Sequence, residues 1–158
     1  MLELDHLSRR FGDVVALDDV SFTVAPGELR GFLGPNGAGK TTAMRAVMGI
    51  TAPDRGEVRW DGRRLVREDR LRFGYMPEER GLYPKMPVSE QLVYFGRLHG
   101  MDKDQAAEDA DGWIERVGLS DRADDNLEDL SLGNQQRVQL AAALIHRPEV
   151  LILDEPFA

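Results

Sequence analysis

Apolar and polar positions along the chain change period several times, and each change marks a new element. Leu2 and Leu4 alternate with polar neighbours, while His6 and Leu7 fall slightly out of step. The alternation predicts an edge strand over 2–7. Val14 to Val24 predicts a second extended segment, stopped by the turn signal Ala25-Pro26-Gly27-Glu28. Leu29 to Leu33 is a short apolar run and predicts a buried strand leading into a glycine-rich stretch. Thr41 to Met48 then reads as a helix closed by Gly49. Glu57 to Trp60 and Arg63 to Val66 flank Asp61-Gly62, a hairpin signal with a two-residue turn. Phe73 to Met76 predicts another short strand.

Beyond this point the period becomes helical. Leu92, Phe95 and Leu98 share one face, as do Ala106, Ala110, Trp113, Ile114 and Val117, with Gly118 as the stop. A third helix is expected from about Asn134 to His146, ended by Arg147-Pro148. Val150 to Leu153 is continuously apolar, as expected of a strand buried on both faces. Strands, a helix, more strands, a helical block and a final strand make an α/β chain. No repeat, linker or low-complexity segment interrupts it.

Composition narrows the function classes. A length of 158 residues suits one globular domain. The formal net charge of -8 argues against a broad basic face for duplex DNA, so no nucleic-acid partner is expected. A local loop can still hold phosphate against that global charge. Cysteine is absent, which removes disulfides, thiolate zinc sites and cysteine nucleophiles together. His6, His99 and His146 are far apart in sequence, without metal-ligand spacing, and read as surface or packing residues. No apolar run reaches the ~20 residues of a membrane span. The opening residues lack the apolar core of a signal peptide. Any membrane role must therefore come through a partner.

Gly34-Pro35-Asn36-Gly37-Ala38-Gly39-Lys40-Thr41 matches G-x-x-x-x-G-K-S/T in full, with an apolar run before it and a helix after it. Glycines let the backbone bend so that several N–H groups point at phosphate oxygens, and the helix N-terminus adds partial positive charge. Lys40 is placed to reach the β- and γ-phosphates, and the Thr41 hydroxyl to ligate Mg²⁺; Thr42 extends the loop into the helix. Asp154-Glu155 ends the last apolar strand, as in a Walker B motif. Asp154 is the expected metal ligand and Glu155 the expected general base.

Leu130-Ser131-Leu132-Gly133-Asn134-Gln135-Gln136-Arg137 lies between those two motifs, just before the third helix. It resembles the signature motif of the ATP-binding-cassette family, usually written L-S-G-G-Q. Leu132 stands where that pattern has its first glycine, and Asn134 where it ends in glutamine. The resemblance covers essentially the whole chain. It implies that Ser131 and the N–H of Gly133 close over ATP held by the P-loop of a second subunit; Ser131 also reads as a helix cap. It implies that Phe11, before Gly12, stacks on adenine; taken alone, Phe11 reads as core. Phe73-Gly74-Tyr75-Met76-Pro77-Glu78 is similar to the strand leading into the Q-loop, and Glu78 occupies the glutamine position. A carboxylate there still approaches Mg²⁺ but donates no amide hydrogen bond; the alternative is a solvated acid.

Pro77 to Pro84 resembles the branch of export ATPases that work with separate ABC-2 type permeases. The implied fold is a P-loop NTPase core with an N-terminal antiparallel β subdomain and an inserted helical subdomain. The expected boundaries are 1–85 for the β subdomain and P-loop core, 86–130 for the helical subdomain, and 131–158 for the signature helix and Walker B strand. The implied activity is ATP hydrolysis with ATP and Mg²⁺ bound, in a head-to-tail dimer at the cytoplasmic face of the membrane. Leu82, Tyr83 and Met86 then read either as part of a permease-docking surface or as subdomain packing. Family members continue beyond Walker B with a D-loop, a switch histidine and further strands. These residues alone are therefore expected to be incomplete, lacking an inner strand, and weakly active. Two rival readings stay open: an ATPase of the same head acting in translation or DNA repair, and a nucleotide-binding module without catalysis.

Overall fold

In the computed structural model, which describes residues 1–79 and 81–156, β1 (Leu2–Phe11) is an interior strand rather than an edge. It pairs antiparallel with β2 (Val14–Val24) on one side and with β3 (Arg55–Trp60) on the other. The sheet is completed by β4 (Arg63–Arg64), in the order β2-β1-β3-β4. Alternation reports that one face is buried; it does not report how many neighbours a strand has. Leu2, Leu4 and Leu7 do fill the buried face.

The out-of-step histidine is a β-bulge. His6 has φ 52, and the pairing shifts from Leu4↔Phe22 to Leu7↔Val20, so β1 carries one extra residue. The facing Gly56 has φ 78, and a Cβ there would sit 2.3 Å from the carbonyl oxygens of Asp5 and His6. Only glycine fits opposite the bulge. The β3–β4 hairpin turns at Asp61 and Gly62, with φ 51 and 79, as Asp-Gly predicts.

This sheet belongs to the first of two units, Met1–Arg70. The same unit contains α1 (Lys40–Val47) and a single turn, α2 (Arg67–Arg70). Arg70 donates from Nε to the Val47 carbonyl at 2.7 Å, placing a cation at the C-terminus of α1. Leu29 to Leu33 departs from expectation. The segment joins no ladder with any described residue, and Leu29 and Leu33 are 98% and 95% exposed. An apolar run expresses a capacity for burial; a strand also needs a partner for its backbone.

The second unit is Leu71–Ala158. Its strands β5 (Phe73–Met76) and β6 (Val150–Leu153) pair in parallel, Phe73 with Val150 through Met76 with Leu153. β6 is half-buried rather than enclosed on both faces, with Leu151 39% exposed. The helices are α3 (Val88–Leu98), α4 (Lys103–Arg116) and α5 (Leu132–Leu144). Val88, Leu92, Ile114, Leu127, Val138 and Ile145 anchor their shared core. Asp102 caps α4 by accepting from the Gln105 N–H at 2.9 Å, and Gly118 leaves it with φ 70.

His99 and His146, remote in sequence, stack with ring centroids 3.7 Å apart. His146 Nε2 lies 3.1 Å from the Phe73 carbonyl. Burial pushes the His146 imidazole below its ordinary value of 6.5, the adjacent His99 adds to that, and the Phe73 carbonyl opposes it. The unfolded chain therefore takes up this proton at higher pH than the folded chain does. Stability from neutral His146 is present above the unfolded value and falls as pH drops through the folded one. Denaturant midpoints measured between about pH 7 and about pH 5 should decline more steeply in the wild type than in His146→Phe. Parallel declines would remove His146 from the cause.

Candidate functional site

The phosphate-loop motif occupies the turn between the exposed Leu29–Leu33 segment and α1. Gly37 and Gly39 both have φ 84, and the Ala38 N–H bonds back to the Pro35 carbonyl at 3.1 Å. A glycine-rich turn of this kind at the head of a helix is the setting in which backbone N–H groups hold phosphate. Gly39 is the cap residue, and the Ala43 N–H closes the first helical turn on its carbonyl at 2.9 Å. Lys40 Nζ donates to the carbonyls of Gly34 and Pro35 at 2.8 and 3.3 Å, so its ammonium lies across the mouth of the loop. Thr41 and Thr42 follow in the first turn of α1, the end of a helix that favours an anion.

The loop is seated on β2. A Cβ at Gly39 would lie 2.1 Å from the Ala16 carbonyl and 3.0 Å from a Leu17 methyl. Ala16 is the extra residue of the third irregularity in the β1–β2 pairing, where it steps from Arg9↔Leu17 to Arg10↔Val15. The same hairpin carries Phe11 at its tip, facing Val14 across the Gly12-Asp13 turn. The Phe11 ring is 48% exposed, which sets aside the core reading, and the Arg9 guanidinium lies 4.7 Å from its centroid.

In the second unit, the C-terminal ends of β5 and β6 bring three acids to one end of the parallel pair. The Asp154 N–H bonds to the Met76 carbonyl at 2.9 Å, and the Asp154 side chain is buried. Glu155 follows with φ 50, a left-handed conformation that a non-glycine residue holds only when its surroundings impose it. Glu78 lies in the exposed bend just after β5. Gln139, inside α5, donates from Nε2 to the Pro77 carbonyl at 2.7 Å and to the Glu79 carbonyl at 3.4 Å. It pins the loop carrying Glu78, and it was not singled out in the sequence. Its signal was a lone amide beside Val138 and Ala141 on the buried side of the helix.

Ser131 caps α5. Its Oγ accepts from the Asn134 N–H at 3.3 Å, and its carbonyl accepts from the Gln135 N–H at 2.9 Å. The hydroxyl hydrogen still points elsewhere, so a capping serine keeps a donor to offer. Gly133 is exposed in the first turn, and Leu132, in the place of a glycine, is 64% exposed. Tyr83 is half-exposed and packs edge-on to Tyr94, while Leu82 packs against the helical core.

The family model described as "ABC transporter" matches residues 17–158. The chain belongs to the ABC transporter family. It is 45% identical over its full length to the uncharacterized ABC transporter ATP-binding protein YhaQ of Bacillus subtilis, covering 53% of that protein. It is 42% identical to a Nod factor export ATP-binding protein I of Paraburkholderia xenovorans, over 98% of this chain and 52% of that one. The chain thus spans about half the length of the curated relatives it matches. A solved ATP-binding subunit of an ABC transporter superposes with a TM-score of 0.87 at 30% identity, over 99% of this chain and 67% of that one. The cbiO1 protein of Clostridium perfringens, part of the complex cbiONQ, gives 0.85 at 26%. The α/β fold of an ABC ATP-binding subunit, with an antiparallel β region and a helical region, is therefore established for these residues.

Two glycines of the ABC phosphate loop separate conformational strain from contact. Gly37→Ala meets no atom within 4 Å and should cost about 1–2 kcal/mol from its positive φ alone. Gly39→Ala carries the same strain plus the clash with Ala16, so urea unfolding should show a clearly larger loss. Equal losses would mean that the contact with β2 is not tight.

Proposed function

We propose that the protein binds and hydrolyses ATP as the ATP-binding subunit of an export-type ABC transporter. The observation that carries the reading is the loop of 34–41, whose positive-φ glycines and helix head form a backbone anion trap beneath Lys40. In this reading Gly34, Pro35, Asn36, Gly37, Ala38 and Gly39 wrap the triphosphate, Lys40 contacts its terminal oxygens, and Thr41 and Thr42 extend the trap along α1. Phe11 stacks on the adenine.

Mg²⁺ suits the available donors, since the Thr41 hydroxyl and the buried Asp154 carboxylate are hard oxygens, with Glu78 as an outer ligand. When bound, it neutralises charge on the β- and γ-phosphates. Glu155 orients a water and accepts its proton. The bond from that water oxygen to the γ-phosphorus forms as the bond to the bridging oxygen breaks, releasing ADP and phosphate. The imposed backbone at Glu155 supports the role, because left-handed non-glycine residues concentrate where a side chain must be aimed.

Ser131 and Gly133 complete the site of a second subunit in a head-to-tail pair, with a donor hydroxyl and a helix-head N–H for the γ-phosphate. Among the described residues no helix is long and apolar enough to cross a membrane. We place the protein at the cytoplasmic face, joined to a separate permease through the Glu78 loop and the helices from about 86 to 122. Export rests on likeness to relatives named for Nod factor export and linearmycin resistance. No nucleic-acid partner is assigned.

In the complete protein, Glu155→Gln should lower ATP turnover about a hundredfold or more while nucleotide binding persists, with the ATP-bound form accumulating as a dimer on size exclusion. Lys40→Ala should abolish both binding and turnover. Unchanged turnover in Glu155→Gln would mean that another group serves as the base, and absence of any trapped ATP-bound dimer would favour a binding module without catalysis.

A further inference from the structure

The tip of the β1–β2 hairpin holds a small network that no motif describes. Arg9 and Phe11 lie two residues apart on β1, and the guanidinium rests over one face of the ring at 4.7 Å. Asp54 moors that guanidinium, its Oδ1 accepting from Nη1 at 2.7 Å. The other oxygen of Asp54 accepts from the backbone N–H of Arg10 at 2.8 Å, and the Asp54 N–H bonds to the Ser8 carbonyl at 2.8 Å. One aspartate thus grips both the side chain and the backbone of the segment leading to Phe11. The Arg10 N–H, aided by Arg9, holds the Asp54 carboxyl below the ordinary carboxylate range, so the mooring charge is present at neutral pH. Arg9 Nε is buried with no hydrogen-bond partner among the described residues, as expected where a guanidinium lies flat on a ring.

We propose that Arg9, moored by Asp54, is a positioning residue for nucleotide-base recognition: it covers one face of Phe11 and fixes the ring plane so that the other face receives the base. The inference rests on the stacking role of Phe11 given above. An exposed phenylalanine at a hairpin tip samples several rotamers, and ordering it on binding weakens affinity. A planar cation held on the far side orders it beforehand and leaves half of the side chain exposed for contact. The Ala16–Gly39 contact ties the same hairpin to the phosphate loop, so the ring plane is set relative to the triphosphate.

The test compares two ligands of the complete protein by calorimetry with Mg²⁺: a non-hydrolysable ATP analogue, and inorganic tripolyphosphate, which has no base. Arg9→Met should weaken the ATP analogue about two- to fivefold and leave tripolyphosphate unchanged, with Arg9→Lys recovering part of the loss. Asp54→Asn should act in the same direction. Phe11→Ala should weaken the ATP analogue about tenfold, again sparing tripolyphosphate. If Phe11→Ala matters and Arg9→Met does not, the positioning role is wrong while base stacking stands. Equal weakening of both ligands by Arg9→Met would mean a general structural role and also overturn it. No effect of Phe11→Ala would remove the stacking reading itself, and this inference with it.

Discussion

The approach of Gly39 to the carbonyl of Ala16 is the contact on which the proposed nucleotide site rests. It leaves no room for a Cβ, and so requires glycine at the head of α1. The phosphate loop can then lie directly on the backbone of β2. Because Ala16 is the extra residue of an irregular pairing, the strand turns its carbonyl toward the loop at that point. The hairpin that supplies this carbonyl also supplies Phe11 at its tip. One sheet therefore positions both the loop around Lys40 and the exposed ring of Phe11, the two parts of the proposed nucleotide site. The chain's net charge of -8 does not oppose anion binding there, because backbone N–H dipoles act at hydrogen-bond range while distant exposed charges are screened.

The second unit solves a different problem, which is to hold carboxylates at one end of a parallel strand pair. The ladder from Phe73↔Val150 to Met76↔Leu153 fixes where Asp154 begins. The bond from its N–H to Met76 continues that ladder by one step and buries the side chain. Glu155, forced into a left-handed turn, leaves the strand direction at once. Helix α5 serves both ends of its own length. Ser131 caps it where the signature motif lies, and Gln139 reaches from its interior to the backbone around Glu78.

Much of this was legible in the sequence because it is local. A Gly-rich loop before a helix, an Asp-Gly hairpin turn and a capping serine each impose their geometry over a few residues. Helices α3 and α4 likewise followed from period, whereas the single turn α2 was not anticipated. What was not legible depends on partners. Alternation in β1 could not reveal that both its edges are paired, and the apolar residues of Leu29 to Leu33 could not reveal that no described strand lies beside them. The continuous apolar run of β6 suggested enclosure, yet Leu151 is left part-exposed. The misplacement of His6 was visible as a break in pattern, but its meaning as a bulge needed Gly56 from a strand far along the chain. Gln139 and Arg9 were overlooked for a similar reason. Gln139 holds the backbone beside Glu78 and Arg9 lies over Phe11, and neither carries a motif of its own.

We propose that the loop around Lys40 and the acids at 154 and 155 serve one magnesium–nucleotide complex. A crystal structure of the complete protein with a non-hydrolysable ATP analogue and Mg²⁺ tests it most directly. The account predicts the triphosphate inside 34–42, with Thr41 and Asp154 reaching the metal directly or through one water, and Glu155 beside the γ-phosphate. A triphosphate bound elsewhere, or an Asp154 carboxylate turned away from the metal, would contradict it.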